Sequence, residues 1–138
     1  MKYLILVLLV LAPFGSPVLQ AGEKANTIVV HPGEVIYARF EQKGKKLKLI
    51  TATKEKNDAA QVIVSMSSPD PKKPLENLTL KVENNFSEDL VYAAEMRRVA
   101  KKQRRLTMVS PVVANKLALE PVPFFVDEMA LFEFGLQL

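Results

Sequence analysis

The sequence predicts an all-β fold, an immunoglobulin-like antiparallel β-sandwich of about 7–9 strands. Three observations carry that expectation. From Asn26 onward, short apolar alternations are separated by turn residues at fairly even spacing. The segment 67–74 holds three prolines, which cannot enter a central ladder and so marks a surface loop. The stretch 129–138 is apolar to its final residue and needs a sheet to bury it.

The elements follow in chain order. Residues 27–30 read as a strand stopped by His31-Pro32-Gly33, where proline fixes φ and glycine permits a left-handed turn position. Residues 34–41, rich in Val, Ile, Tyr and Phe, and 47–53 form a hairpin reversed at Gln42-Lys43-Gly44-Lys45. In 61–66, Val62, Val64 and Met66 alternate with Gln61, Ile63 and Ser65, and in 78–83 Leu78, Leu80 and Val82 alternate with Thr79, Lys81 and Glu83. Both read as strands, the second half-buried. Residues 87–106 admit two readings. Ser87-Glu88-Asp89 resembles a helix N-cap, which gives an α+β alternative with a helix over 88–105. The preferred reading is a hairpin, with Tyr92, Ala94 and Met96 on one face, a turn at 100–103 and a return strand at 104–109. Beyond Ser110-Pro111, Val112, Val113, Leu117 and Leu119 are expected to pack, and Pro121-Val122-Pro123 imposes an extended, edge-like course. The last strand is expected to carry Ala130, Phe132, Phe134, Leu136 and Leu138 on one face.

The Val82-Glu83-Asn84 strand end, the Ser110-Pro111-Val112 turn and the aromatic terminal strand together resemble small immunoglobulin-like sandwich proteins secreted by bacteria. The resemblance is one of layout and implies the fold alone. The Cys, Trp, Cys pattern of true immunoglobulin domains is absent.

Residues 1–21 read as a signal peptide. Lys2 precedes an apolar run from Leu4 to Ala12, Pro13, Gly15 and Pro17 break it, and Ala21 offers a small residue at a cleavage site. The run is far shorter than the roughly 20 residues that span a bilayer. The expected product is one β-sandwich domain over 22–138, periplasmic or secreted, with no transmembrane segment. The chain has no cysteine, so neither a lipid-modified cysteine nor a disulfide accompanies it. Cleavage removes only Lys2 among the charges and lowers the net +4 by one. A field that weak does not imply nucleic acid.

No catalytic set is expected. A nucleophile needs a neighbouring base, and the single histidine, His31, lies in a turn with no Gly-x-Ser-x-Gly or Ser-x-x-Lys arrangement after the leader. One histidine and no cysteine exclude the usual zinc sets. The acidic pairs Glu88-Asp89 and Asp127-Glu128 sit at element starts, where carboxylates cap turns or solvate, and the scattered glycines form no phosphate cradle. No cofactor is expected.

One feature stands out from this background. Arg97, Arg98, Lys101, Lys102, Arg104 and Arg105 crowd one hairpin, and Lys43, Lys45, Lys46 and Lys48 crowd another. If both tips share an end of the sandwich, they form one cationic rim suited to carboxylate or phosphate. The competing reading is a charged hairpin that keeps sheet edges from pairing. Intervening aromatics are missing from the cluster, which argues against single-stranded nucleic acid. The expected function is therefore non-enzymatic: binding an envelope protein or an anionic lipid or glycan. A strand-adding chaperone, with an edge exposed at the 67–74 loop, is the alternative, and a carboxylate-dependent enzyme is the remote one.

Overall fold

The computed structural model describes residues 25–137. The signal peptide, its cleavage after Ala21, and Leu138 lie outside the described residues. Among the described residues there are nine strands: β1 (Ile28–Val30), β2 (Val35–Lys43), β3 (Lys46–Thr53), β4 (Val62–Ser67), β5 (Thr79–Asn84), β6 (Asp89–Arg98), β7 (Gln103–Thr107), β8 (Leu117–Pro121) and β9 (Glu128–Gln137). All pairings are antiparallel, in the order β7-β6-β9-β3-β2-β4-β5-β8, with β1 also on β9. The fold is the all-β, sandwich-like one expected, formed by one sheet that curls over its own core. No described helix is long and apolar enough to cross a membrane.

The segment 88–105 is a hairpin, not a helix. β6 and β7 pair from Ala94↔Thr107 to Arg98↔Gln103 across a short 3-10 turn, Val99–Lys101. Alternation decided the matter. Leu90, Tyr92 and Ala94 are buried, with Val91 and Ala93 half-exposed between them, a period of two that a helix would scramble.

Strand β9 is the hub. Along one side it pairs with β6, and along the other with β1 at Met129 to Leu131 and with β3 at Gly135. Its alternation does not run through on one face as expected. Glu133 takes a left-handed φ of 55°, and the ladder slips by one residue between Val91 and Ala93. This bulge resets the pleat, so Met129 and Leu131 before it and Phe134 and Leu136 after it all enter the core, while Phe132 is half-exposed. A second slip, at Arg39 and Phe40 in β2, bends the sheet further.

The core joins Ile36, Val62, Val64, Met66, Leu80 and Val82 to Leu90, Met129 and Leu131, with an aromatic group at one end. There Phe40 lies with its ring centroid 4.9 Å from Phe134, and Phe134 stacks on Tyr92 at 6.0 Å. The Tyr92 hydroxyl is buried with no hydrogen-bond partner among the described residues. Burial first, then the negative charge of Glu120, push its ionisation well above the ordinary phenol range.

The curl is tied at Asn84, which is buried at the end of β5. Its amide donates to the carbonyls of Glu88 and Val112, and its Oδ1 accepts from the Phe86 N–H. Val112 in turn bridges to Leu90 of β6, linking the two halves of the sheet. Among the residues expected to pack in this section, Val112 is buried, whereas Val113, Leu117 and Leu119 are exposed. β8 is an outer strand, and its alternation turns the small Ala118 toward the core instead. The proline-rich loop only connects β4 to β5, which pair along their whole length, and it opens no edge there. β7 and β8 end the main ladder, and β1 pairs with β9 alone among the described strands.

Candidate functional site

The two cationic clusters do not meet. Arg97 pairs with Glu128 at the start of β9, and Lys46 pairs with Gly135 near its end, so the hairpin tips point to opposite ends of that strand. Seven residues of strand separate them by roughly 20 Å. Lys43, Lys45, Lys46 and Lys48 are exposed at their own end. The single rim does not form.

Within the β6–β7 cluster the arginines divide by face. Arg97 is buried and belongs to an ionic chain: its Nε donates to Glu95 Oε1 at 2.7 Å and its Nη1 to Glu128 Oε2 at 3.1 Å. Glu128 Oε1 then meets His31 Nε2 at 2.7 Å, His31 Nδ1 meets Glu34 Oε1 at 2.8 Å, and Lys54 reaches Glu34 Oε2 at 2.7 Å. The chain pins the β1–β2 turn to β9 and β6. Burial alone would lower the His31 pKa, but the hydrogen bonds to Glu34 and Glu128, reinforced by their charges, raise it above the ordinary 6.5. Burial works against Glu34 too, and the bonds from Lys54 and His31 overcome it and hold this carboxyl below its ordinary 4.5. Glu128 is thus a buried ion-pair partner, not the solvated carboxylate expected of the Asp127-Glu128 pair. Asp127 does cap: its Oδ1 accepts from the Val99 N–H. Asp89 does likewise for Ala114. Among the described residues, no group of His, Asp and Glu is arranged to hold a metal ion.

The opposite face of the hairpin behaves differently. The register sets Met96 opposite Arg105 and Arg98 opposite Gln103, on the face that Leu90, Tyr92 and Ala94 present to the core. Past Met96 the core runs out, and this inner face becomes the wall of an open groove of about 330 Å³. Met96, Arg98, Gln103 and Arg105 line it from this face, Arg97 and Arg104, which the register sets on the other face, also border it, and Phe125 and Val126 lie opposite. Arg98 and Arg105 occupy diagonal positions, whose Cβ atoms sit about 7–8 Å apart, and neither has an ion pair among the described residues. Arg104 is mostly exposed and only loosely held, 3.9 Å from Glu95. Lys101 and Lys102 are exposed at the hairpin tip, where Lys102 takes the left-handed conformation (φ 53°) that closes the turn.

Phe125 supplies the aromatic surface missing from the cluster in sequence. It arrives from a different segment, 121–128, which lies against the hairpin because the Asp127 N–H donates to the Arg97 carbonyl. No signal within 97–105 reports that contact. The His31–Glu128 link is equally remote in sequence.

Comparison of the chain with known protein families, with curated proteins and with solved structures finds no match.

Proposed function

We propose that this protein is a non-enzymatic β-sandwich of the cell envelope that binds an anionic group, phosphate or carboxylate, in the groove between the β6–β7 hairpin and residues 122–127. The supporting observation is the division of the arginines: Arg97 is consumed in a buried ionic chain, whereas Arg98 and Arg105 stand without ion pairs on the wall of a groove. Guanidinium groups on diagonal positions suit an oxyanion shared between them, and the apolar far wall lowers the local dielectric and strengthens the contact. The envelope location rests on the leader. Phosphorylated lipids and acidic glycans supply both oxyanions there.

Inorganic pyrophosphate titrated into the protein, followed by amide chemical shifts, tests this reading. Shifts should concentrate at Arg98, Gln103 and Arg105, weaken as salt rises, and fall about tenfold in affinity in Arg98→Ser/Arg105→Ser. Arg97 is left intact, because its loss would disturb the fold. Equal affinity in the double variant would refute the groove as the site.

A further inference from the structure

We propose that the Pro123-Phe124-Phe125-Val126 turn seats this end of the molecule on a lipid bilayer, with the phosphate-bearing headgroups held by Arg98 and Arg105; this rests on the groove reading above and adds its partner.

The turn is a built feature. The Val126 N–H donates to the Pro123 carbonyl at 3.0 Å, which places Phe124 and Phe125 at its two central positions. Both flanks are anchored: Val122 and Val126 are buried, the Val122 N–H donates to the Leu78 carbonyl, and the Asp127 N–H donates to the Arg97 carbonyl. Pro121 and Pro123 stiffen the approach. A turn so fixed could keep its tip polar at no cost to the fold. Instead it carries two adjacent phenylalanines, Phe124 80% exposed and Phe125 48% exposed. Single exposed apolar residues are ordinary, but two large aromatics held out together on a rigid turn are not.

The tip also has the right company. The 3-10 turn at the end of the same hairpin exposes Val99 beside Lys101 and Lys102, and the 122–127 segment is bonded to that hairpin. Apolar tips flanked by Arg98, Lys101, Lys102 and Arg105, with the Asp127 carboxylate already engaged on the Val99 N–H, match the two layers of an anionic membrane surface, hydrocarbon below and phosphate above. A protein partner would call for a recess that receives its side chains or a polar rim of mixed sign. Among the residues lining this groove the charged side chains are all cationic, and Phe124, off the groove wall, protrudes. Charge complementarity therefore selects a phosphate-bearing bilayer as the occupant.

The protein has no tryptophan, so Phe124→Trp introduces a single reporter at a position too exposed to matter for folding. Vesicles of phosphatidylcholine containing phosphatidylglycerol should shift the indole emission to the blue, and brominated lipid should quench it. In vesicle sedimentation, Phe124→Ser should lose at least about fivefold in binding while keeping pyrophosphate affinity, because Phe124 lies off the groove wall, and Phe124→Ser/Phe125→Ser should lose at least about tenfold. Arg98→Ser/Arg105→Ser should lose about twentyfold at low salt. Indole emission in Phe124→Trp that is neither shifted nor quenched, or vesicle binding unchanged in the phenylalanine double variant, overturns the proposal. Pyrophosphate binding without vesicle binding overturns it too, and leaves the groove reading standing with the turn free for a protein partner. Loss of both kinds of binding in the wild-type protein removes the groove reading as well.

Discussion

His31 illustrates how little a residue's identity says without its neighbours. In sequence it is a lone histidine in a turn, with a structural role the simplest expectation; in the fold it joins Glu34 to Glu128 within an ionic chain that continues to the buried Arg97. A pH dependence follows with a definite sign. The folded pKa of His31 is raised above 6.5, so its contribution is complete below 6.5 and is lost as pH climbs through the folded value. The folded pKa of Glu34 is lowered below 4.5, so its contribution is present above 4.5 and is lost as pH falls through the folded value. Stability from this pair should peak between those two ordinary values. Thermal melts across pH should show Tm falling by a few degrees on the alkaline side in the wild type, a modest change because the imidazole is partly exposed, and His31→Gln should flatten that limb. A limb that persists in the variant places the titration elsewhere.

Among the elements, the strands were legible wherever a short-range pattern carried the information, and the errors mark where it did not. Val62, Val64 and Met66 alternate with half-exposed or smaller neighbours and are all fully buried, as are Leu80 and Val82 on β5. The hairpin in 88–105 could be read because Tyr92, Ala94 and Met96 keep a period of two. The inward set of β9 could not, because it depends on a bulge at Glu133 that no propensity marks. Leu117 and Leu119 look like core residues, yet only the sheet order reveals that β8 is an outer strand. For the site, the cations of 97–105 were visible but their division was not, since it turns on which face meets Glu128 and which meets Phe125. The element that most needs its side chain is the end of β5. Asn84→Ala strips the carbonyls of Glu88 and Val112 and the Phe86 N–H of one partner in a buried site. Urea unfolding should report a loss of about 2–4 kcal/mol, several times that of an exposed control such as Lys56→Ala.

On the scale of the whole molecule, β9 decides cohesion, since β1, β3 and β6 all pair with it. Where it passes β3, Gly135 is tightly placed: a Cβ there would lie 3.0 Å from the Lys45 carbonyl oxygen, a backbone atom that also accepts from the Leu136 N–H and would have to give way. Gly135→Val should therefore destabilise the domain by about 2–3 kcal/mol in the same unfolding assay, with the β2–β3 hairpin the first region to lose amide protection. Unchanged protection at Lys46 and Leu47 would show that the contact tolerates displacement. The same hub has a consequence in time. β1 meets its partner about 100 residues further along the chain, and β3 and β6 also wait for a segment synthesised after them. A nascent chain carrying only β1 to β8 holds the β3-β2-β4-β5-β8 ladder and the β6–β7 hairpin with nothing to join them, so the core closes only once 128–137 is available. That closing step rests on contacts distant in sequence, which makes it slow beside the hairpins.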